Sequence, residues 1–206
     1  MPELKPDSAQ TSGLLERVGR GDRQALEVLL ARFRPDLRAF IEVRLDARLA
    51  ARVDPSDVVQ EAQLEVVRRM DDFLKRRPMP FHLWVRKTAY ERLLDLRRHH
   101  RRARRSVECE AILPDRSSLL LACPLLASGP SPSQHLQARE LAERIARAVD
   151  RLSPADHEIL LMRHGEALPF EEIACLLEID PAATRKRFGR ALLRLQKALS
   201  EQGLLE

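Results

Sequence analysis

Apolar residues recur at helical spacing along most of this chain, in stretches interrupted by proline, glycine and serine, and the pattern predicts a succession of short amphipathic helices. Leu14, Leu15 and Val18 open the first, and Gly21-Asp22 punctuates it before a stronger run at Ala25, Leu26, Leu29, Leu30 and Phe33. Pro35 is expected to kink or restart that run, with Leu37, Phe40, Ile41, Val43 and Leu45 carrying helical spacing on to Val53. Asp54-Pro55-Ser56 is a start signal, because proline suits the first helical position; the helix it opens is expected to reach about Phe73. A loop from Leu74 to Pro80 follows, with two prolines and the basic trio Lys75, Arg76 and Arg77. A further helix begins at Phe81.

From about residue 106 to 135 the periodicity fails, and Pro114, Pro124, Pro130 and Pro132 accumulate with serines and Gly129. That stretch reads as a linker. Its cluster LLLACPLL is nevertheless apolar enough to dock on a folded surface. Leu136, Leu141, Ile145, Ala148 and Val149 then form one helix, and Leu152-Ser153-Pro154 stops it and starts another, with Ser153 as N-cap. Ile159, Leu160 and Met162 fill this second helix until His164-Gly165. Pro169 to Leu177 and Pro181 to Leu199 are two more, joined by a short turn at Glu178-Ile179-Asp180. A helix-turn-helix results. The predicted fold is all-α: two small helical domains, 1–105 and 136–206, joined by a Pro/Ser-rich linker over 106–135.

Composition agrees with that picture. Aromatic residues are 4% of the 206 and glycines number 7, while Leu, Ala, Arg and Glu dominate. The three cysteines, Cys109, Cys123 and Cys175, are widely spaced and form no C-x-x-C pair, which suggests neither a disulfide framework nor a zinc knuckle. Met1 to Gln10 lacks the apolar core of a signal peptide, and Leu119 to Ala127, interrupted by Pro124, is too short to span a bilayer. A soluble protein of the reducing cytoplasm is expected.

Charge sharpens the reading. Residues 81–105 hold nine cationic side chains (Arg86, Lys87, Arg92, Arg97, Arg98, Arg101, Arg102, Arg104 and Arg105) against Glu91 and Asp95, a net of +7 in a chain whose total is +5. Phe81, Trp84, Val85, Ala89, Leu93, Leu94 and Leu96 give the same helix an apolar side, so the charge sits on a packed scaffold and calls for a polyanion. Trp84, at helical spacing with Phe81 and Val85, reads as core in preference to a base-stacking residue. His99 and His100 lie in a basic run suited to phosphate rather than metal.

Two other helices carry distinctive faces. At 100° per residue, Thr184, Phe188, Ala191, Leu192, Leu195 and Leu199 of the last helix share one side, with Lys186, Arg190 and Lys197 opposite and Arg185, Arg187 and Arg194 flanking them. Such a helix fits a major groove about 12 Å wide, its N-terminal arginines near guanine edges and phosphates. Leu193, on the exposed side, does not belong to that scheme. In the helix from Asp57, Val58, Val59, Ala62, Val66 and Met70 form the buried side, while Asp57, Gln60, Glu61, Leu64 and Arg68 line the other. That acidic face with one exposed leucine suits a basic helical partner or is simply solvated.

The run Asp54-Pro55-Ser56-Asp57-Val58-Val59-Gln60-Glu61-Ala62-Gln63-Leu64, followed by Phe81-x-x-Trp84-Val85 and the arginine-rich helix, resembles the second domain of the extracytoplasmic-function sigma factors of bacterial RNA polymerase. Leu152-Ser153-Pro154, Pro169-Phe170-Glu171-Glu172-Ile173-Ala174 and Arg185-Lys186-Arg187-Phe188-Gly189-Arg190-Ala191-Leu192 resemble the helix-turn-helix of their fourth domain. The resemblance implies that Asp57, Gln60, Glu61 and Leu64 grip the beta-prime clamp helices of core polymerase, with the beta flap as a further polymerase surface. It implies that the loop with Lys75, Arg76 and Arg77 and the helix with Arg86, Arg92, Arg97, Arg98 and Arg101 hold the melted minus-ten strand. Arg185, Lys186, Arg187 and Arg190 would read the minus-thirty-five duplex, and the linker would thread the polymerase channel. An anti-sigma factor is the other partner implied; a membrane is not.

Glu91 stands where the family commonly has asparagine, and Glu178 replaces the usual glycine of the turn, which argues for a less strained turn or an altered helix angle. No glycine-rich phosphate loop, H-E-x-x-H pair or nucleophile motif occurs, and His157, Glu158 and His164 lack metal-ligand spacing, so neither catalysis, metal nor cofactor is expected. The rival from another class is a DNA-binding regulator that uses the C-terminal helix-turn-helix alone, with the first half as an interaction domain.

Overall fold

The computed structural model describes residues 4–45, 47–103, 117–118, 121 and 132–204. By its internal contacts the chain divides into two compact units, Met1–Glu110 and Ala111–Glu206.

In the first unit, α1 (Ala9–Gly19) is capped by Ser8, whose hydroxyl accepts from the Thr11 N–H at 3.2 Å. Asp22 caps α2 (Arg23–Arg44) in the same way, accepting from the Ala25 N–H at 3.0 Å. Pro35 lies inside α2, so of the two outcomes expected of it, a kink or a restart, the restart does not occur. Burial decides there, because Leu29 on one side of the proline and Leu37, Phe40 and Ile41 on the other are all core residues of a single helix. The chain breaks instead at Leu45, whose backbone is extended, and the short α3 (Ala47–Ala50) follows, so the helical spacing from Leu37 to Val53 does not belong to one helix.

Asp54 caps α4 (Pro55–Arg76) by accepting from the Ser56 N–H at 2.7 Å, with Pro55 in the first helical position. This helix passes Phe73, so Lys75 and Arg76 belong to its last turn and the basic loop shrinks to Arg77–Pro80. Arg77 ends it in the left-handed region at φ 38°. The arginine-rich α5 (Phe81–Ala103) then packs on α4 and α2. Its first turn is capped from far away in sequence: the Asp7 carboxylate accepts from the N–H of Phe81 at 2.7 Å and of His82 at 3.2 Å.

The core of this unit runs through Leu15, Leu29, Ile41, Val59, Ala62, Val66, Phe81, Val85, Ala89 and Leu93. Each of the leucine, isoleucine, valine and phenylalanine side chains stabilises the fold by about 1.5–3 kcal/mol when fully buried. Trp84 is part of it, stacked on Phe73 at 4.4 Å between ring centroids and 5.8 Å from Phe81. The largest fully buried side chain is Arg44, which lies over the Phe40 ring at 3.8 Å and donates to the Phe40 carbonyl at 3.3 Å.

In the second unit, α6 (Pro132–Asp150) leads to α7 (Pro154–Leu160), whose N-cap Ser153 accepts from the Asp156 N–H at 3.2 Å. A π-helical turn, Leu161–Gly165, replaces the helical ending expected through Met162. Next come α8 (Phe170–Leu177) and α9 (Pro181–Ser200). The core is Ile145, Ala146, Val149, Ile159, Leu160, Leu161, Met162, Ile173, Leu176 and Ala191. Two leucines assigned to inner faces are exposed: Leu141 at 36% and Leu192 at 38%. The buried stripe of α9 is narrower than its periodicity suggests, with Thr184, Ala191 and Leu199 inside and Phe188 and Leu195 only partly covered.

Most of the linker, with Cys109 and Cys123, lies outside the described residues; of it, Ser117, Ser118 and Leu121 are described and buried, and residues 132–135 belong to the start of α6. Among the described residues there is no strand. None of their helices is long and apolar enough to cross a membrane, and no group of three or more His, Cys, Asp or Glu could hold a metal ion.

Candidate polymerase and nucleic-acid interfaces

On α4 the division between inner and outer faces follows the periodicity. Val58, Val59, Ala62, Val66 and Met70 are buried, while Asp57, Gln60, Glu61, Leu64 and Arg68 are exposed, Leu64 at 57%. Gln63 locks the rotation of the helix: its side-chain amide donates to the Leu30 carbonyl at 2.8 Å and accepts from Arg34 at 3.2 Å, tying α4 to α2. With Gln63 turned inward beside Ala62, Leu64 is left facing out. Val67, three residues beyond Leu64, is 41% exposed and widens the apolar spot. The sequence reading missed it, although the i, i+3 relation to Leu64 was legible.

The cations of α5 are less free than their density suggests. Arg86 is half-buried with its guanidinium over the Phe40 ring at 4.7 Å. Arg97 donates to the Arg44 carbonyl at 2.5 Å, and Arg98 pairs with Asp95 at 2.6 Å. Arg92 is half-buried and 3.6 Å from Asp95. The side chain of Arg101 lies outside the described residues. Lys75, Arg76 and Arg77 are exposed together at the end of α4, Arg76 pairing with Asp72 at 2.9 Å.

Glu91 is engaged within the unit. It accepts from Arg69 at 3.1 Å, and Arg69 also pairs with Glu65 at 2.5 Å, so a carboxylate–guanidinium–carboxylate bridge joins α4 and α5. Burial pushes the Glu65 carboxyl up, but the hydrogen bond and charge of Arg69, with Arg92 and Arg68 nearby, outweigh it and hold the group below the usual carboxylate range.

In the helix-turn-helix, Asp180 caps α9, accepting from the N–H groups of Ala182 at 2.7 Å and Ala183 at 3.3 Å. Phe188 meets Phe170 edge-on at 5.3 Å and so fastens α9 to α8. Lys186 and Arg190 are exposed, and among the described residues neither has an ion-pair partner. Arg185 pairs with Glu171 at 2.5 Å and lies 5.7 Å from the Phe170 ring; Arg187 is half-buried and adds its charge to the surroundings of Asp156. Arg194 pairs with Asp156. Burial raises the Asp156 carboxyl, but Ser153, Arg194 and Arg187 outweigh it and lower the group overall.

The turn corrects the expectation for Glu178. It adopts the left-handed conformation at φ 54° and ψ 41°, so the strain that glycine would avoid is present. A left-handed L-residue costs roughly 1–2 kcal/mol, and glycine loses about 0.5–1 kcal/mol more chain freedom on folding. Glu178→Gly is therefore expected to stabilise the C-terminal unit by about 0.5 kcal/mol and Glu178→Val to destabilise it by about 1–2 kcal/mol. Thermal melts of the three proteins check both signs.

Residues 142–195, which span this motif, match the family described as Sigma-70, region 4. The RNA polymerase sigma-H factor of Pseudomonas aeruginosa is 26% identical over 194 residues, covering 92% of this chain and 94% of the relative. The ECF RNA polymerase sigma-E factor of Escherichia coli is 25% identical over 178 residues, 86% of this chain and 88% of its own. Among solved structures, CnrH in complex with the cytosolic domain of CnrY is similar in fold at a TM-score of 0.58 and 18% identity, covering 94% of this chain and 99% of that one. The sigma factor RpoE of Bartonella quintana, in complex with the anti-sigma factor NepR, gives 0.52 and 19%, covering 84% and 96%. Residues 142–195 thus carry the region 4 signature, and over most of its length the chain is similar to sigma factors of bacterial RNA polymerase. The likeness to the sigma-E factor supports the extracytoplasmic-function type.

Proposed function

We propose that this sigma factor works through two interfaces, one on each unit. It directs core RNA polymerase to specific promoters in the initiation of transcription. The α4 face of Asp57, Gln60, Glu61 and Leu64 docks on the clamp helices of the beta-prime subunit, with Val67 beside Leu64 enlarging the apolar anchor. The observation that carries this reading is the exposure of that acidic, leucine-bearing face on a helix whose other side is wholly buried. An exposed leucine beside carboxylates contributes an anchor and an orientation at once.

The C-terminal unit reads the minus-thirty-five duplex through α9, led by Lys186 and Arg190. The exposed cations Lys75, Arg76 and Arg77, with those of α5, hold the minus-ten strand during opening; phosphate contacts position it while unstacked bases enter pockets, offsetting part of the cost of separating the duplex. Partners are core polymerase through the clamp helices and the beta flap, promoter DNA, and a protein inhibitor of the kind seen with RpoE. The protein acts in the cytoplasm, and the chain alone performs no catalysis.

Footprinting tests this reading directly. Holoenzyme reconstituted with the protein is expected to protect a two-part promoter, with permanganate-reactive thymines in the minus-ten region, while the protein without core gives no promoter-specific footprint. Specific protection of duplex DNA by the protein unaided would favour a simple helix-turn-helix regulator.

A further inference from the structure

Ser117 and Ser118 belong to the segment whose composition reads as a linker, yet their exposures are 1% and 0%. Their partners are on the C-terminal unit. Ser118 Oγ donates to Asp150 Oδ1, at the C-terminal end of α6, at 2.5 Å. The Nε2 of His157 on α7 lies 3.2 Å from the hydroxyl oxygens of both serines.

Donor counting orients this cluster. A hydroxyl has one proton and an ionised carboxylate only accepts, so Ser118 gives its proton to Asp150 and must accept from His157. The imidazole proton therefore sits on Nε2. Buried hydroxyls without partners are costly, and these bonds are what allow two serines to lie inside. Leu121, in the same segment, is also buried, at 8%.

We propose that Ser117, Ser118, His157 and Asp150 form a clasp that fastens the interdomain segment to the C-terminal unit and so sets the length of the tether between the two promoter-reading units. The proposal rests on the two-part reading above. With the clasp closed, residues 104–116 are all that lie between α5 and the anchor, a covalent reach of at most roughly 45–50 Å. With it open, the chain as far as α6 becomes tether and the limit rises to roughly 100 Å. Effective concentration falls as about the −3/2 power of tether length once the span is exceeded, so doubling the tether costs about threefold at the preferred spacing. The longer reach tolerates wider spacing. These residues thereby determine specificity for the distance between the two promoter elements.

The test compares holoenzymes containing the wild-type chain or Ser117→Ala/Ser118→Ala on promoters whose spacer is varied one base pair at a time. The double variant is expected to form about threefold fewer open complexes at the optimal spacer under limiting holoenzyme, and more than wild type at spacers two or three base pairs longer, so that the two profiles cross. Asp150→Ala, which removes the acceptor of the Ser118 hydroxyl at an exposed helix end, should reproduce the crossing by a second route, and His157→Gln, which keeps an N–H at similar reach, should retain the wild-type profile. Superimposable profiles for wild type, the serine variant and Asp150→Ala overturn the clasp while leaving the two-part reading intact. A wild-type profile with no dependence on spacer length overturns both.

Discussion

Asp57→Arg combined with Leu64→Glu is expected to abolish co-purification with core polymerase while leaving the helical circular dichroism unchanged. Both side chains are exposed, Leu64 at 57%, so neither substitution removes a core contact. The orientation of α4 is held by Gln63 from within and by the Glu65–Arg69–Glu91 bridge at its flank, and neither touches the altered positions. The loss comes from the interface alone. A central anchor typically contributes 2 kcal/mol or more, and charge reversal opposite a basic partner adds repulsion, so the pair removes on the order of 4 kcal/mol, roughly a thousandfold in affinity. Val67→Glu should give a smaller loss in the same direction, since that residue lies at the edge of the apolar spot and is 41% exposed. Normal binding of core by the double variant would show that polymerase docks elsewhere on the chain.

Arg190→Ala and Lys186→Ala are each expected to weaken minus-thirty-five binding without affecting core binding. An arginine lost from a base edge costs about 1–3 kcal/mol and relaxes specificity at that position, whereas a lysine lost from a phosphate lowers affinity across sequences and flattens the salt dependence by about 0.9 per contact on duplex DNA. These two residues are chosen because they are exposed and uncommitted. Arg185→Ala makes the informative comparison. Its guanidinium already binds Glu171, so part of its effect should appear as lost stability of the α8–α9 pair. Titration of a duplex carrying the minus-thirty-five element across a salt series, beside a thermal melt of each variant, separates the two contributions. If core affinity fell in parallel with DNA affinity, α9 would be part of the polymerase contact and not the reading helix.

Much of the helical plan is local physics, and it was legible in the chain. Asp54-Pro55, Ser153-Pro154 and Asp180-Pro181 each begin a helix because an oxygen-bearing side chain takes up free N–H groups and proline needs none. The two faces of α4 follow from the period of 3.6, and with them the candidate docking residues. Where local rules misled, tertiary burial overrode them. Pro35 stays inside α2, Leu192 stays outside the core, and Glu178 is held in a conformation that favours glycine because α8 and α9 are locked by Phe170 and Phe188.

What the sequence alone determined, then, was the order of the helices, their caps, their apolar and charged faces, and the concentration of positive charge in α5. Those properties depend on neighbours within a turn or two. Only the tertiary structure decided which charges are committed: Arg97 to the carbonyl of Arg44, Arg69 to Glu65 and Glu91, Arg185 to Glu171, and Arg194 to Asp156. It alone brought Asp7 to the start of α5 across 74 residues, buried Arg44 against Phe40, and set Ser117 and Ser118 on His157 and Asp150. A long cationic side chain reaches any acceptor that packing brings near, and periodicity carries no information about which acceptor that will be.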